Sequence, residues 1–263
     1  VAENNIAADV YQGRDQHLFL SATLYDGDVA GKVGYTHTVF SPIPTGSAGT
    51  FWAATETITV SGNRVLSAQG TVDYLHLAFS TLSTIDTSSA TTVQIDLTPA
   101  GAGRISLSAF DEVRLFPRIY FQGTVVMGAS FGSLPQPLLF NLSELVSFGH
   151  MVQGKWVPSA FPGRNKLYAR MAIELPDNAN DPYNLLNVMM LDHARMRLFV
   201  ACGTSWTSFD EFGKTIPNVE AGIEGVFDLS ALGGLLPLQA LVGYAAPIVG
   251  GAGMGVFYFG FSL

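Results

Sequence analysis

Charge is what this chain has least of. Charged residues make up 13% of its 263 positions, against about 25% in an average soluble domain, so a large part of its surface must meet something other than bulk water. Basic residues are scarcest: 13 Lys and Arg against 21 Asp and Glu leave a net charge of −8 and no basic cluster. Nucleic acid is therefore excluded as a partner, because neutralising phosphates takes grouped Lys and Arg. A single cysteine, Cys202, rules out an internal disulfide. The first residues, VAENNIAADVYQGRDQ, have neither a basic stretch nor an apolar one, so any secretory signal would have to be already removed, with Val1 either a mature N-terminus or a truncation. No Pro/Ser-rich linker or charge block divides the chain, and 1–263 is expected to be one domain.

Catalytic and metal-binding patterns are missing as well. His17, His37, His76, His150 and His193 are scattered without the short spacing of a metal site. GASFG, at 128–132, has serine between glycines but is not expected at the strand-to-helix turn that a Gly-x-Ser-x-Gly nucleophile needs. Asp111 and Glu112 are adjacent, so on a strand they point to opposite faces and cannot act on one bond. The glycine-rich stretches follow no nucleotide fingerprint and read as turns. The expectation is a protein that is not an enzyme and holds no cofactor or metal.

The chain does have one long uncharged run, from Leu229 to Leu263. Its length would suit a membrane helix, but Pro237, Pro247 and seven glycines from 233 to 255 argue against helix. Period-two alternation fits better. Leu236, Leu238, Ala240, Val242, Tyr244, Ala246 and Ile248 share one strand face, and Phe257, Phe259, Phe261 and Leu263 share one face of the next. Upstream strands repeat the pattern with all charge on one side. Tyr168, Arg170, Ala172 and Glu174 oppose Leu167, Ala169, Met171, Ile173 and Leu175; Arg195, Arg197, Phe199 and Ala201 oppose Met196, Leu198, Val200 and Cys202; Glu220, Gly222, Glu224, Val226 and Asp228 oppose Val219, Ala221, Ile223, Gly225, Phe227 and Leu229. A membrane barrel turns such an apolar face to lipid and the polar one to a lumen.

The fold expected is therefore all-β, a transmembrane antiparallel up-and-down barrel with about twelve strands in this chain. The segment 133–164, with poor alternation and a short helix expected at FNLSELVSF, is too long for a hairpin turn and is expected to enter or cap the lumen. The lumen charges Arg170, Arg195 and Arg197 against Glu174, Glu220 and Glu224 read either as a selectivity ring or as cross-strand ion pairs, with Glu220 and Glu224 expected beside Arg195 and Arg197. Aromatic residues near strand ends, Trp206 among them, read as interfacial girdles.

Four stretches in order carry a resemblance. SAFPGRNKLYARMAIELP, from Ser159 through Ala160, Phe161, Pro162, Gly163 and Arg164, is similar to an inward loop motif running into a strand. RLFVACGTSW keeps Phe199, Val200, Gly203 and Trp206 of a strand motif facing that loop. NVEAGIEGVF is similar to the strand that follows, and LPLQALVGYAAPI keeps a Gly-Tyr-Ala-x-Pro signature at Gly243 to Pro247. The closing GVFYFGFSL, with Phe257, Phe259, Phe261 and Leu263, is similar to an outer-membrane β-signal, with its glycine displaced. Together they resemble the BamA-type outer-membrane assembly and translocation superfamily, over roughly residues 104 to 263.

That resemblance implies a place in the outer membrane of a Gram-negative-type envelope, and a role in protein or lipid translocation or as the membrane anchor of a larger complex. Its implied partners are the lipid bilayer and other envelope proteins. The family barrel has sixteen strands, so the chain is expected to be either the C-terminal part of a longer protein or a smaller barrel. The family also pairs a loop arginine with a strand aspartate inside the lumen. Those positions are Ser159 and Ala201 here, so the loop is expected to be held without a buried charge pair, by packing of Phe148, Trp156 and Phe161 or by backbone bonds. A porin-like passive channel and a soluble extracellular β-sandwich are the competing readings, separable by conductance and by detergent dependence.

Overall fold

The computed structural model describes the backbone of residues 4–12, 16–25, 28–45, 50–67, 70–85, 87–116, 119–142, 144–145, 147, 150–152, 155–157, 163–175, 183–185, 189–231, 236–250 and 254–262. Side-chain environments are described for most of these from residue 58 onward. Ser159, Ala160, Phe161, Pro162 and Leu263 lie outside the described residues, as do Phe148 and the side chain of Trp156.

Alternating apolar and polar residues give strands almost throughout. In chain order these are β1 (Asn4–Gln12), β2 (Gln16–Tyr25), β3 (Asp28–Thr45), β4 (Thr50–Ser67), β5 (Gly70–Ile85), β6 (Thr87–Leu97), β7 (Gly103–Phe116), β8 (Ile119–Phe131), β9 (His150–Val152), β10 (Lys155–Val157), β11 (Asn165–Leu175), β12 (Tyr183–Leu185), β13 (Met189–Trp206), β14 (Asn218–Ala231), β15 (Leu236–Val249) and β16 (Val256–Ser262). One antiparallel sheet runs β1 to β8, then β11, β13, β14, β15 and β16, with the short β12 attached to β13. Only β9 and β10 stand apart, as a small hairpin inside the 133–164 segment. Among the described residues β1 and β16 are the two ends of the sheet and do not pair. A sandwich requires two sheets packed face to face, and this up-and-down order in one sheet is that of a barrel wall.

Thirteen strands form the path, where the sequence pattern suggested about twelve. The extra one is β1, whose Asn-rich NNIAADVYQ hides its alternation. A second difference lies at RVLSAQGTVDYLHLAF, which reads as one strand but straddles the β4–β5 hairpin; Gly70, at φ 122°, begins β5 opposite Ser67. Of the short helix expected at FNLSELVSF, only Ser147 is helical among its described residues, in a 3-10 conformation. A single 3-10 turn at Gln136–Leu138 comes just before it.

The two faces of the wall follow the alternation. On the outer face Ile105, Val125, Met127, Met171, Ile173, Met196, Leu198, Val200, Ile223 and Val242 are all exposed. Phe257, Phe259 and Phe261 on β16 are the extreme case at 80%, 77% and 76%. An outward ion pair, Arg64 with Asp73 (Nε to Oδ1 2.6 Å), lies beside the β4–β5 turn, where the apolar wall gives way to charge. The inner face carries Asp96, Lys166, Tyr168, Glu174, Phe199, Glu220 and Glu224, all buried.

Candidate functional site

Glycines on the inner wall make the space into which its aromatic side chains lie flat. The Phe199 ring covers Gly222, directly opposite on β14, at 2.5 Å from where a Cβ would stand. Tyr258 covers Gly243, the first residue of the Gly-Tyr-Ala-x-Pro signature, in the same way. Those rings in turn hold charge. The Arg170 guanidinium lies 4.3 Å above the Phe199 ring and crosses β13 to reach Glu224 Oε2 on β14 at 2.6 Å. The Tyr258 hydroxyl donates to the other oxygen, Oε1, at 2.6 Å. A buried carboxylate costs several kcal/mol in desolvation unless its oxygens are filled, and here both are.

A second group sits nearby on the same wall. Glu174 accepts from Arg197 Nε at 2.6 Å and from Arg195 Nη1 at 3.4 Å, while Arg195 Nη2 reaches Asp228 Oδ2 at 2.7 Å. Gln122 bridges Glu174 and Glu112. The arginines thus face inward beside acids, but their partners differ from those expected. Glu174 faces Arg197 directly on β11, and Asp228 is diagonal to Arg195 on β14, whereas Glu224 is taken by Arg170 and Tyr258. Each arginine has an acid within bonding distance, which favours pairing over a ring of free charge.

The segment after β8 lies against this wall. Phe140 forms a two-way backbone bridge with Gly163 (3.0 and 2.9 Å), and its ring fills the space above Gly128. Leu142 and Leu145 are fully buried over Gly203, their methyl carbons 3.1 and 3.2 Å from the position of an added Cβ. Three polar contacts fasten the segment. Arg104 Nη1 donates to the Leu138 carbonyl at 3.0 Å, with its guanidinium 5.5 Å above the Phe140 ring. Lys166 of β11 pairs with Glu144. The backbone N–H and the hydroxyl of Ser147 both donate to Glu220 Oε2, at 2.8 and 2.7 Å. At the root of the segment Arg164 Nη2 donates to the Gly132 carbonyl.

These contacts correct the expectation of a loop held without buried charge. Lys166 and Glu144 are a charge pair, and Glu220 is a carboxylate that is 1% exposed. Ala201 cannot supply an acid, but Glu220 is its direct cross-strand neighbour and stands at the same level of the wall. Trp206 needs correction too. Phe199, Ala201 and Gly203 point inward, but Trp206 is three residues beyond Gly203, so strand parity turns it outward, where its ring meets Phe212 at 4.8 Å.

One inner-wall row escaped sequence reasoning. Ser61, His76, Asp96 and Arg104 stand directly opposite one another on β4 to β7. His76 Nδ1 and Arg104 Nε meet the two oxygens of Asp96, each at 2.6 Å. This row orients the arginine that holds Leu138. Only the pairing register reveals it, since the four residues are scattered between positions 61 and 104.

No family model matches the chain, and no curated protein matches it in sequence. Solved structures do. The crystal structure of BamA from Haemophilus ducreyi lacking POTRA domains 1–3 superposes with a TM-score of 0.58 at 12% identity, covering 99% of this chain and 66% of that one. The β domain of the Bordetella autotransporter BrkA covers 98% of this chain and 95% of its own, at 12% identity and a TM-score of 0.40. The chain therefore spans about two thirds of the BamA structure it resembles. The likeness is one of fold: the chain forms an up-and-down antiparallel wall like that of the BamA β-barrel.

Proposed function

We propose that the chain is the membrane-embedded barrel of an outer-membrane protein of the BamA type, acting in protein or lipid translocation and assembly or anchoring a larger envelope complex. In this reading the role is not catalytic, the bilayer contacts the outer face, and other envelope proteins are its partners. The observation that carries the proposal is the fastening of the 133–164 segment to the inner wall by Leu142 and Leu145 over Gly203 and by Ser147 on Glu220. A segment packed this way occupies space that a passive pore would leave to water, and the paired arginines leave little free charge for ion selection.

The test is reconstitution of the full chain in planar bilayers. A barrel with a fastened segment gives closed or briefly flickering behaviour, and Glu220→Ala lengthens the open events. A wide, steady conductance in the unaltered protein would favour the porin reading, and failure to enter bilayers would remove both.

A further inference from the structure

The outer wall has a cleft under an overhang. After β13 the chain turns through Phe209–Glu211 and brings Phe212 back onto Trp206. Beneath it lies a groove of about 390 Å³ walled by Ile105, Leu107, Met127, Leu167, Trp206 and Phe212. Two cross-strand rows form its floor: Ile105, Ala129, Asn165 and Trp206 are successive neighbours across β7, β8, β11 and β13, and so are Leu107, Met127, Leu167 and Thr204.

Two polar atoms on this floor strand have no acceptor or donor. Trp206 Nε1 and Thr204 Oγ1 are both buried without a hydrogen-bond partner, and both face outward. An unmet buried donor costs about 1–3 kcal/mol, so something else is expected to satisfy them. Water is a poor choice in an apolar groove. The position suggests the alternative. On one side the groove continues into the apolar outer wall at Val125, Met171 and Val200, and on the other it is bounded by exposed Asp210, Glu211 and Lys214. That boundary between apolar wall and charge is the level at which a bilayer places its ester carbonyls and at which aromatic girdles sit.

We propose that this groove binds one glycerophospholipid, with an acyl chain against Leu107, Met127 and Leu167 and an ester carbonyl accepting hydrogen bonds from Trp206 Nε1 and the Thr204 hydroxyl. Phe212 is half exposed on the hairpin and shields the indole until the chain enters and displaces it. The proposal rests on the bilayer reading above but makes a narrower claim, that of one lipid held by its carbonyl at a defined place.

The experiment uses the full chain inserted in bilayers of either diester phosphatidylethanolamine or its dialkyl ether analogue, which has the same chains and headgroup but no carbonyl. After transfer to detergent, native mass spectrometry counts the retained lipid, and heat-modifiable gel mobility confirms folding. One diester lipid per chain should be retained about fivefold better than the ether lipid, as one to two net hydrogen bonds allow. Thr204→Val should reduce retention and Phe212→Ala, which removes the ring that the lipid must displace, should raise it, while Val242→Ala elsewhere on the outer wall should leave it unchanged. Equal retention of ester and ether lipids, equal retention by the variants, or no retention by a folded, inserted protein would overturn the site and leave the membrane reading standing. Failure of the chain to insert at all would defeat that reading first.

Discussion

The outer ends of β15 and β16 and the inner wall of β11, β13 and β14 come from the same kind of alternating strand, yet they are stabilised in opposite ways. On the outside, Phe257, Phe259 and Phe261 make few protein contacts and depend on an apolar solvent. On the inside, Arg170, Glu224 and Tyr258 depend on one another. The lesson is that tolerance to substitution is set by which face a residue occupies and hardly by its identity. Away from the rim a charge is costly outside whatever its neighbours, and inside it is costly only when its partner is removed.

The sharpest way to break this comparison is to place a charge outside. Phe259→Arg near the middle of the wall should cost about 2–4 kcal/mol of folding free energy in lipid, read from urea titrations of insertion. Next in size is the crowding of an inner glycine. In Gly222→Ala the new methyl meets the Phe199 ring at 2.5 Å and the Tyr244 carbonyl, and should cost about 1–3 kcal/mol by the same titration. Ser147→Ala removes one of two bonds to Glu220 and should cost about 1 kcal/mol or less of barrel stability. It should nevertheless expose the 133–164 segment to protease faster than in the unaltered protein. The smallest effect belongs to the outward Arg64–Asp73 pair: Arg64→Gln should leave insertion and stability unchanged, because exposed pairs at a wetted rim contribute little.

The two faces were legible in the sequence because strand alternation survives any error in counting strands. Arg195 and Arg197 against Met196 and Leu198 could face only one way once the tail was read as apolar outward. The tail itself resolved into β15 and β16 for the same reason, although its closing Leu263 lies outside the described residues. Partners were less legible. Arg170 reaches an acid two strands away over Phe199, and no local pattern shows that Gly222 makes room for the ring. The fastening of the 133–164 segment was least legible. A search for a replacement charge at Ser159 or Ala201 misses Glu220, which belongs to another strand and comes beside Ala201 only through register. Trp206 faces outward as its girdle reading expected and not toward the loop as the strand motif implied, because parity turns its side chain away beyond Gly203.

The central claim is a wall with lipid on one side and a filled, polar lumen on the other. Its most direct test is a spin-label scan of β14 from Val219 to Leu229 in lipid, one cysteine at a time, with Cys202 changed to serine. Labels at 219, 221, 223, 225, 227 and 229 should collide with oxygen dissolved in the bilayer, and those at 220, 222, 224, 226 and 228 should not. A profile without period two, or one in the opposite phase, would contradict the account.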